Sequence, residues 1–165
     1  MTSLDFIGGL FGLGSRRVAG LLAERLARSL GGKPERVLAV GDGLGRALAA
    51  AGLPVVSVGS SGGPRRLGML QTASSLGALP FGDGSIDAAC MAGLPPAGLP
   101  VLRECARVVR PGGLVAIVAA SPALMKRAAP REVTAAMMIH ASLADVEQRQ
   151  LGSTWITLGR VRRQP

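Results

Sequence analysis

Tyrosine is absent, and the chain has one tryptophan, three phenylalanines, one histidine and two cysteines among 165 residues. With so few rings the core must be aliphatic, built from Leu, Val, Ala and Ile. The same scarcity argues against a single-strand nucleic-acid binder, which stacks bases on aromatic side chains. Cys90 and Cys105 have neither C-x-x-C nor metal spacing. No zinc site or disulfide framework is therefore expected, and both read as buried, reduced thiols. That reading places the chain in the cytoplasm. No apolar run reaches the 18 or so residues of a spanning helix. No basic stretch precedes the apolar amino end, as a signal peptide would require. Lysine is almost missing too, since only Lys33 and Lys126 are lysines among 19 basic residues.

What is present reads as one globular domain over residues 1–165. Its length suits a single core, and 48% hydrophobic against 18% charged residues excludes disorder. The net charge is +9. Arginine favours phosphate and carboxylate partners, so nucleic acid or an anionic surface is a conceivable ligand. The arginines are scattered, however (Arg16-Arg17, Arg65-Arg66, Arg160, Arg162-Arg163), and form no stripe in the sequence. Nucleic acid is accordingly the weaker expectation.

The chain is organised around Arg36 to Ala47, R-V-L-A-V-G-D-G-L-G-R-A. Val37 to Val40 is a short continuous apolar run, the pattern of a buried parallel strand. It ends in Gly41-Asp42-Gly43-Leu44-Gly45 and opens into a helical run to about Ala51. Glycines there let the backbone turn sharply and approach a ligand, and the helix offers free N–H groups to something polar or anionic.

Upstream, residues 1–32 divide into an apolar, glycine-rich segment (Thr2 to Gly14) and a helix from Ser15 to Leu30, with Ser15 as N-cap and Gly31-Gly32 as its stop. Thr2 to Gly14 reads first as a segment packing on the core, and otherwise as a flap over a pocket, a protein-docking segment or a weak interfacial anchor backed by Arg16-Arg17. Downstream, Leu53 to Val58 reads as a second strand. A shortened crossover should follow, then a strand near Leu67 to Thr72, a strand over Ile86 to Ala92, and a helix over Val101 to Val109 stopped by Pro111-Gly112-Gly113. Leu114 to Ala120 reads as a central strand and Pro130 to about Ala141 as a helix. Ala144 to Gln150 and Trp155 to Val161 read as a closing antiparallel pair. Alternating strands and helices predict an α/β, doubly wound, mostly parallel Rossmann-like sheet over residues 33–165, with ligands at the carboxyl ends of its strands.

Three stretches, V-L-A-V-G-D-G-L-G-R, L-P-F-G-D-G-S-I-D-A-A and L-R-E-C-A-R-V-V-R-P-G-G-L-V-A-I-V, carry a resemblance over about Arg36 to Arg162. In order and spacing the chain resembles a class I S-adenosylmethionine-dependent methyltransferase of the small type 11 kind. The resemblance implies that Gly41, Asp42, Gly43, Leu44 and Gly45 approach the methionine part of the cofactor. It places the ribose at Gly59 and Ser60 and the adenine at Ser75 and Leu76. It also implies methyl transfer to an unidentified acceptor.

Departures from that pattern are specific. Ala39 stands where an acidic residue is usual, Gly59 where an acid takes the ribose hydroxyls, and Ser75 where an Asp reads adenine. Each charge-assisted hydrogen bond lost costs about 1.5–3 kcal/mol. Losing two would weaken binding by roughly two to four decades. The alternative expectation is therefore a methyltransferase fold that has lost the cofactor and serves as an interaction or scaffold protein. No base stands out. His140, Asp83 and Asp87 read as packing, turn and strand-start residues, and Leu94-Pro95-Pro96-Ala97 as a stiffened loop. Transfer by orientation alone remains open to an acceptor that is already nucleophilic.

Overall fold

The computed structural model describes residues 13–58, 70–72, 77–93, 98–120 and 131–162. Among the described residues, four helices, α1 (Leu13–Leu30), α2 (Asp42–Ala50), α3 (Gly98–Val108) and α4 (Arg131–His140), cover the two faces of one sheet. Its strands are β1 (Val37–Val40), β2 (Val55–Val58), β3 (Leu70–Thr72), β4 (Ile86–Ala92), β5 (Val109–Ala120), β6 (Leu143–Leu151) and β7 (Thr154–Val161). They lie in the order β3-β2-β1-β4-β5-β7-β6, with β7 antiparallel to both β5 and β6 and the other pairs parallel. This is the doubly wound, mostly parallel sheet with a closing antiparallel pair that the sequence pattern predicts. The parallel pairing of β2 with β3 leaves only residues 59–69 for the crossover.

Both faces of β1 are buried, which is why Val37 to Val40 is apolar without alternation. Leu22, Leu26, Leu44, Leu48 and Leu53 pack with Val37, Ala39 and Cys90 under α1 and α2. Leu38, Met91, Leu102, Cys105 and Ile117 pack under α3 and α4. The core is aliphatic, as the scarcity of rings requires, and one cysteine lies in each layer.

Several boundaries differ from the sequence expectation, each for a local reason. α1 starts at Leu13, so Ser15 lies inside its first turn and is not the N-cap. Its end is as expected: Gly32 N–H donates to Ala27 O at 2.9 Å and Gly31 N–H to Arg28 O at 3.4 Å, the paired bonds of a left-handed cap. β2 begins two residues late because the Leu53 N–H is taken by Leu48 O, closing α2. α3 begins at Gly98, with Pro100 in its first turn where no N–H is needed. Arg110-Pro111-Gly112-Gly113 does not stop the helix. α3 ends at Val108, and those four residues form a bulge within β5, between the Ile86–Val109 and Ala88–Leu114 pairings.

Gly113 sits in that bulge because a Cβ there would fall 2.5 Å from Asp87 O, 2.5 Å from Val109 Cγ1 and 2.9 Å from Arg110 O. The Asp87 carboxylate completes the knot, accepting from Glu35 N–H (2.7 Å), Arg36 N–H (3.0 Å) and Arg110 Nε (2.6 Å). Other arginines are likewise tied internally. Arg160 donates to Gly112 O at 2.8 Å and Ser29 O at 3.3 Å, and Arg25 pairs with Glu147 between α1 and β6. Much of the basic charge thus serves as bracing between elements.

Candidate functional site

The sheet order reverses between β1 and β4. α2 leaves β1 over one face, while α3 leaves β4 over the other. The connecting backbones part at this point, which makes the carboxyl edge of β1 and β4 the natural crevice of the fold. Gly41 forms its floor. Its φ of 108° and ψ of 129° lie where side chains are strongly disfavoured. The nearest atom to a Cβ there would be Ala92 Cβ at 3.9 Å, so backbone conformation, rather than crowding, calls for glycine. Gly41 N–H donates to Val58 O at 3.0 Å, tying the turn to β2, and Gly41 O accepts from Gly45 N–H at 3.1 Å.

Among the described residues, no side chain caps α2. The amides of Asp42, Gly43 and Leu44 open the helix without a capping side-chain oxygen, facing the edge where a polar or anionic group would sit. The structure thus brings Gly41, Asp42, Gly43, Leu44 and Gly45 into one turn. The Leu44 side chain is buried under the helix layer, so only its backbone is on offer. Gly59, Ser60, Ser75 and Leu76 lie outside the described residues, as do Leu94 to Ala97 and all but the last two residues of the Thr2 to Gly14 segment.

Ala39 is fully buried, abreast of Ser57 on β2 and Cys90 on β4. The core has closed over the position where the resemblance expects an acid. Ser57 was not singled out by its sequence. Its hydroxyl is buried without a hydrogen-bond partner, beneath the carboxyl end of β2. The only hint was one polar residue inside Val55-Val56-Ser57-Val58.

The descent from β3 to β4 is held by Arg107. Its guanidinium donates to Leu79 O (3.1 Å), Phe81 O (3.0 Å), Asp83 (2.6 Å) and both carboxylate oxygens of Glu104 (2.8 and 2.9 Å), while Glu104 also accepts from Leu79 N–H at 2.9 Å. The Arg107 hydrogen bonds and the Leu79 amide together hold the Glu104 carboxyl below its ordinary value. Asp83 is therefore a surface ion-pair partner. Asp87 braces the opposite, amino edge, where burial pushes its carboxyl up but the two amides and Arg110 outweigh it. His140 is exposed at the carboxyl end of α4, away from the crevice. An open groove of ≈ 730 Å³ lined by Lys33, Pro34, Glu35, Ala49, Gly52, Leu53 and Pro54 is also on the amino edge.

The carboxyl edge holds one further constellation absent from the sequence reading. Trp155 pairs with Ala119 near the end of β5, and the Arg131 guanidinium stands 5.1 Å from its ring centroid. Gln148 Nε2 donates to Arg131 O at 2.6 Å and Thr157 Oγ1 at 3.0 Å, fixing the start of α4 against β7. Arg131 Nε is paired with Glu132 at 2.7 Å. No signal in the sequence could have joined Arg131 to Trp155, because β7's register and α4's placement create the contact.

No protein-family model matches the chain, and no curated protein matches it in sequence. Solved structures do match its fold. A SAM-dependent methyltransferase from Aquifex aeolicus is 17% identical with a TM-score of 0.71, over 98% of this chain and 100% of that one. A structure of the complex between a Haloferax volcanii methyltransferase activator and a methyltransferase matches at 16% identity and 0.66, over 99% of each chain. A Burkholderia thailandensis 1,6-didemethyltoxoflavin N1-methyltransferase, solved with its heterocycle and S-adenosylhomocysteine, matches at 19% and 0.65, over 90% of this chain and 79% of that one. The sheet order, the strand-to-helix turn at Gly41 and these likenesses agree: the chain has the class I S-adenosylmethionine-dependent methyltransferase fold.

Proposed function

We propose that the protein transfers a methyl group from S-adenosylmethionine to an acceptor held at the carboxyl edge of the sheet. The observation that carries this reading is the turn at Gly41, placed at the point of strand-order reversal with uncapped helix amides behind it. Two observations support the cofactor there: a Cβ at Gly41 would meet nothing nearer than Ala92 Cβ at 3.9 Å, and the helix amides behind it have no side-chain cap that would compete with the amino-acid carboxylate. When bound, the cofactor supplies an electrophilic methyl on a sulfonium. Gly41 to Gly45 would hold its methionine end. Gly59, Ser60, Ser75 and Leu76 are proposed for the nucleoside on the resemblance alone. With alanine at position 39 and no acid at position 59, affinity should fall well below that of an enzyme with both carboxylates.

Calorimetry with S-adenosylmethionine and S-adenosylhomocysteine tests the reading. Saturable heat that disappears in Gly41→Val is expected, and no heat at millimolar ligand would overturn it. A second reading is favoured by the complete burial of Ala39: a fold retained for binding a protein partner, with Thr2 to Gly14 as docking segment. The activator complex among the structural neighbours offers a precedent for a partnered methyltransferase fold. Deleting residues 2–12 should then abolish partner capture in a pull-down, and full retention would count against it. We take residues 1–165 as one domain under either reading. Among the described residues, no helix is long and apolar enough to cross a membrane.

A further inference from the structure

The chain's single tryptophan is not in the core. Ile156 and Leu158 point into the α1/α2 layer, so Trp155 and Thr157 face the α3/α4 side by strand alternation. β7 lies three strands from β1 in the sheet, which sets Trp155 roughly 14 Å along the carboxyl edge from Gly41 at the usual strand spacing. The half-buried indole is therefore on the same edge as the glycine turn, beyond β4 and β5. It is backed by the Arg131 guanidinium, whose backbone carbonyl is held by Gln148 and whose Nε pairs with Glu132. Arg131 and Glu132 are largely exposed, at 53% and 69% of their side-chain surfaces.

A second observation narrows the chemistry. The chain has no tyrosine, and its one histidine stands at the far end of α4. Among the described residues flanking Trp155, the only carboxylate is Glu132. Arg131 holds it below its ordinary value, which makes it a poor proton acceptor.

We infer that Trp155 and Arg131 form an acceptor subsite for a flat, acidic aromatic or heteroaromatic molecule bound as its anion, with the ring on the indole and the negative charge on the guanidinium. A cation beside the acceptor favours its ionised form and replaces the missing base. The anion's lone pair forms the new bond to the methyl carbon as the C–S bond breaks. The bonding electrons leave on sulfur as a neutral thioether, and no proton moves in the step. Glu132 competes for Arg131 in the empty site and is displaced by the acceptor. The inference rests on the methyl-transfer reading for this reaction, though not for the binding.

The probe is 4-nitrophenol, with 4-nitroanisole as its neutral counterpart, added to the full chain. Saturable quenching of tryptophan emission by 4-nitrophenol, with a rise in phenolate absorbance at fixed pH and little response to 4-nitroanisole, is expected. Arg131→Gln should weaken binding about tenfold, the worth of one charge-assisted contact. Trp155→Leu, read by phenolate absorbance, should weaken it as well. Glu132→Gln should tighten binding by a few-fold, a gain that misfolding cannot imitate. Equal binding of the two probes, no quenching, or an Arg131→Gln protein that binds as well as the wild type would overturn the inference. The same titrations are repeated with S-adenosylhomocysteine present. Probe binding without S-adenosylhomocysteine heat leaves the subsite standing and removes the methyl-transfer reading. Heat without probe binding does the reverse.

Discussion

Gly113→Ala should be among the most damaging single-methyl additions available to this protein. The added carbon would lie 2.5 Å from Asp87 O, 2.5 Å from Val109 Cγ1 and 2.9 Å from Arg110 O. Two of those atoms are backbone carbonyl oxygens, so no side-chain rotation relieves the clash. Relief requires moving β5 away from β4 at the bulge, loosening the hydrogen bonds that Asp87 makes to Glu35, Arg36 and Arg110. Overpacking a rigid site costs about 1–3 kcal/mol. With the Asp87 knot disturbed, the upper end of that range is expected, about 3 kcal/mol. In a domain of this length that lowers Tm by roughly 6–12 °C. Gly20→Ala is the matched control. Gly20 lies inside α1 with nothing within 4 Å of the new carbon. It should be neutral or stabilise by up to about 1 kcal/mol through helix propensity. Urea melts of both variants decide the matter. A Gly113→Ala protein within about 0.5 kcal/mol of wild type would refute the account of the bulge.

Asp87→Asn should flatten the acid limb of stability. The folded carboxyl is held below its unfolded value of about 3.9, so its contribution is present above that pH and lost as pH falls through the depressed value. Thermal melts between pH 2 and 7 check this, and an unchanged acid limb in the variant would contradict it. Arg107→Met should cost about 1–2 kcal/mol, allowing for the partial exposure of its partners, whereas Asp83→Ala should cost less than about 0.5 kcal/mol because Asp83 is 82% exposed. Equal losses for the two in chemical denaturation would show that the contacts of Arg107 to Glu104, Leu79 and Phe81 contribute nothing. Ser57→Ala should stabilise the ligand-free chain by about 1 kcal/mol, since it removes a buried hydroxyl that has no partner. A loss of stability in the same melts would mean that Ser57 is satisfied in solution.

Where the cause of structure is local, the amino-acid order was readable. Val37 to Val40 is a continuous apolar run, Ile86 to Ala92 is apolar apart from Asp87, and both form strands with those bounds. Gly31-Gly32 and Gly52 end their helices where they stand. The turn at Gly41 was legible because its φ has few other solutions. What could not be read depends on pairing across the sheet. Pro111-Gly112-Gly113 has the composition of a helix stop, yet the pairing of β4 with Val109 before it and Leu114 after it makes it a bulge inside β5. Ser15 has the chemistry of a cap, but the helix had already begun at Leu13. The Arg131–Trp155 contact and the orphaned Ser57 hydroxyl are products of tertiary placement. No periodicity encodes them.

The two cysteines occupy opposite sides of the sheet, Cys90 on β4 in the layer under α1 and α2, and Cys105 on the buried face of α3. Burial pushes both thiols up to about 12, so neither presents a thiolate to an alkylating reagent in the native fold. Each sulfur becomes chemically visible only when its own layer lifts. Labelling rates at the two positions, read by mass spectrometry, would therefore tell whether the two helical layers detach together or one before the other.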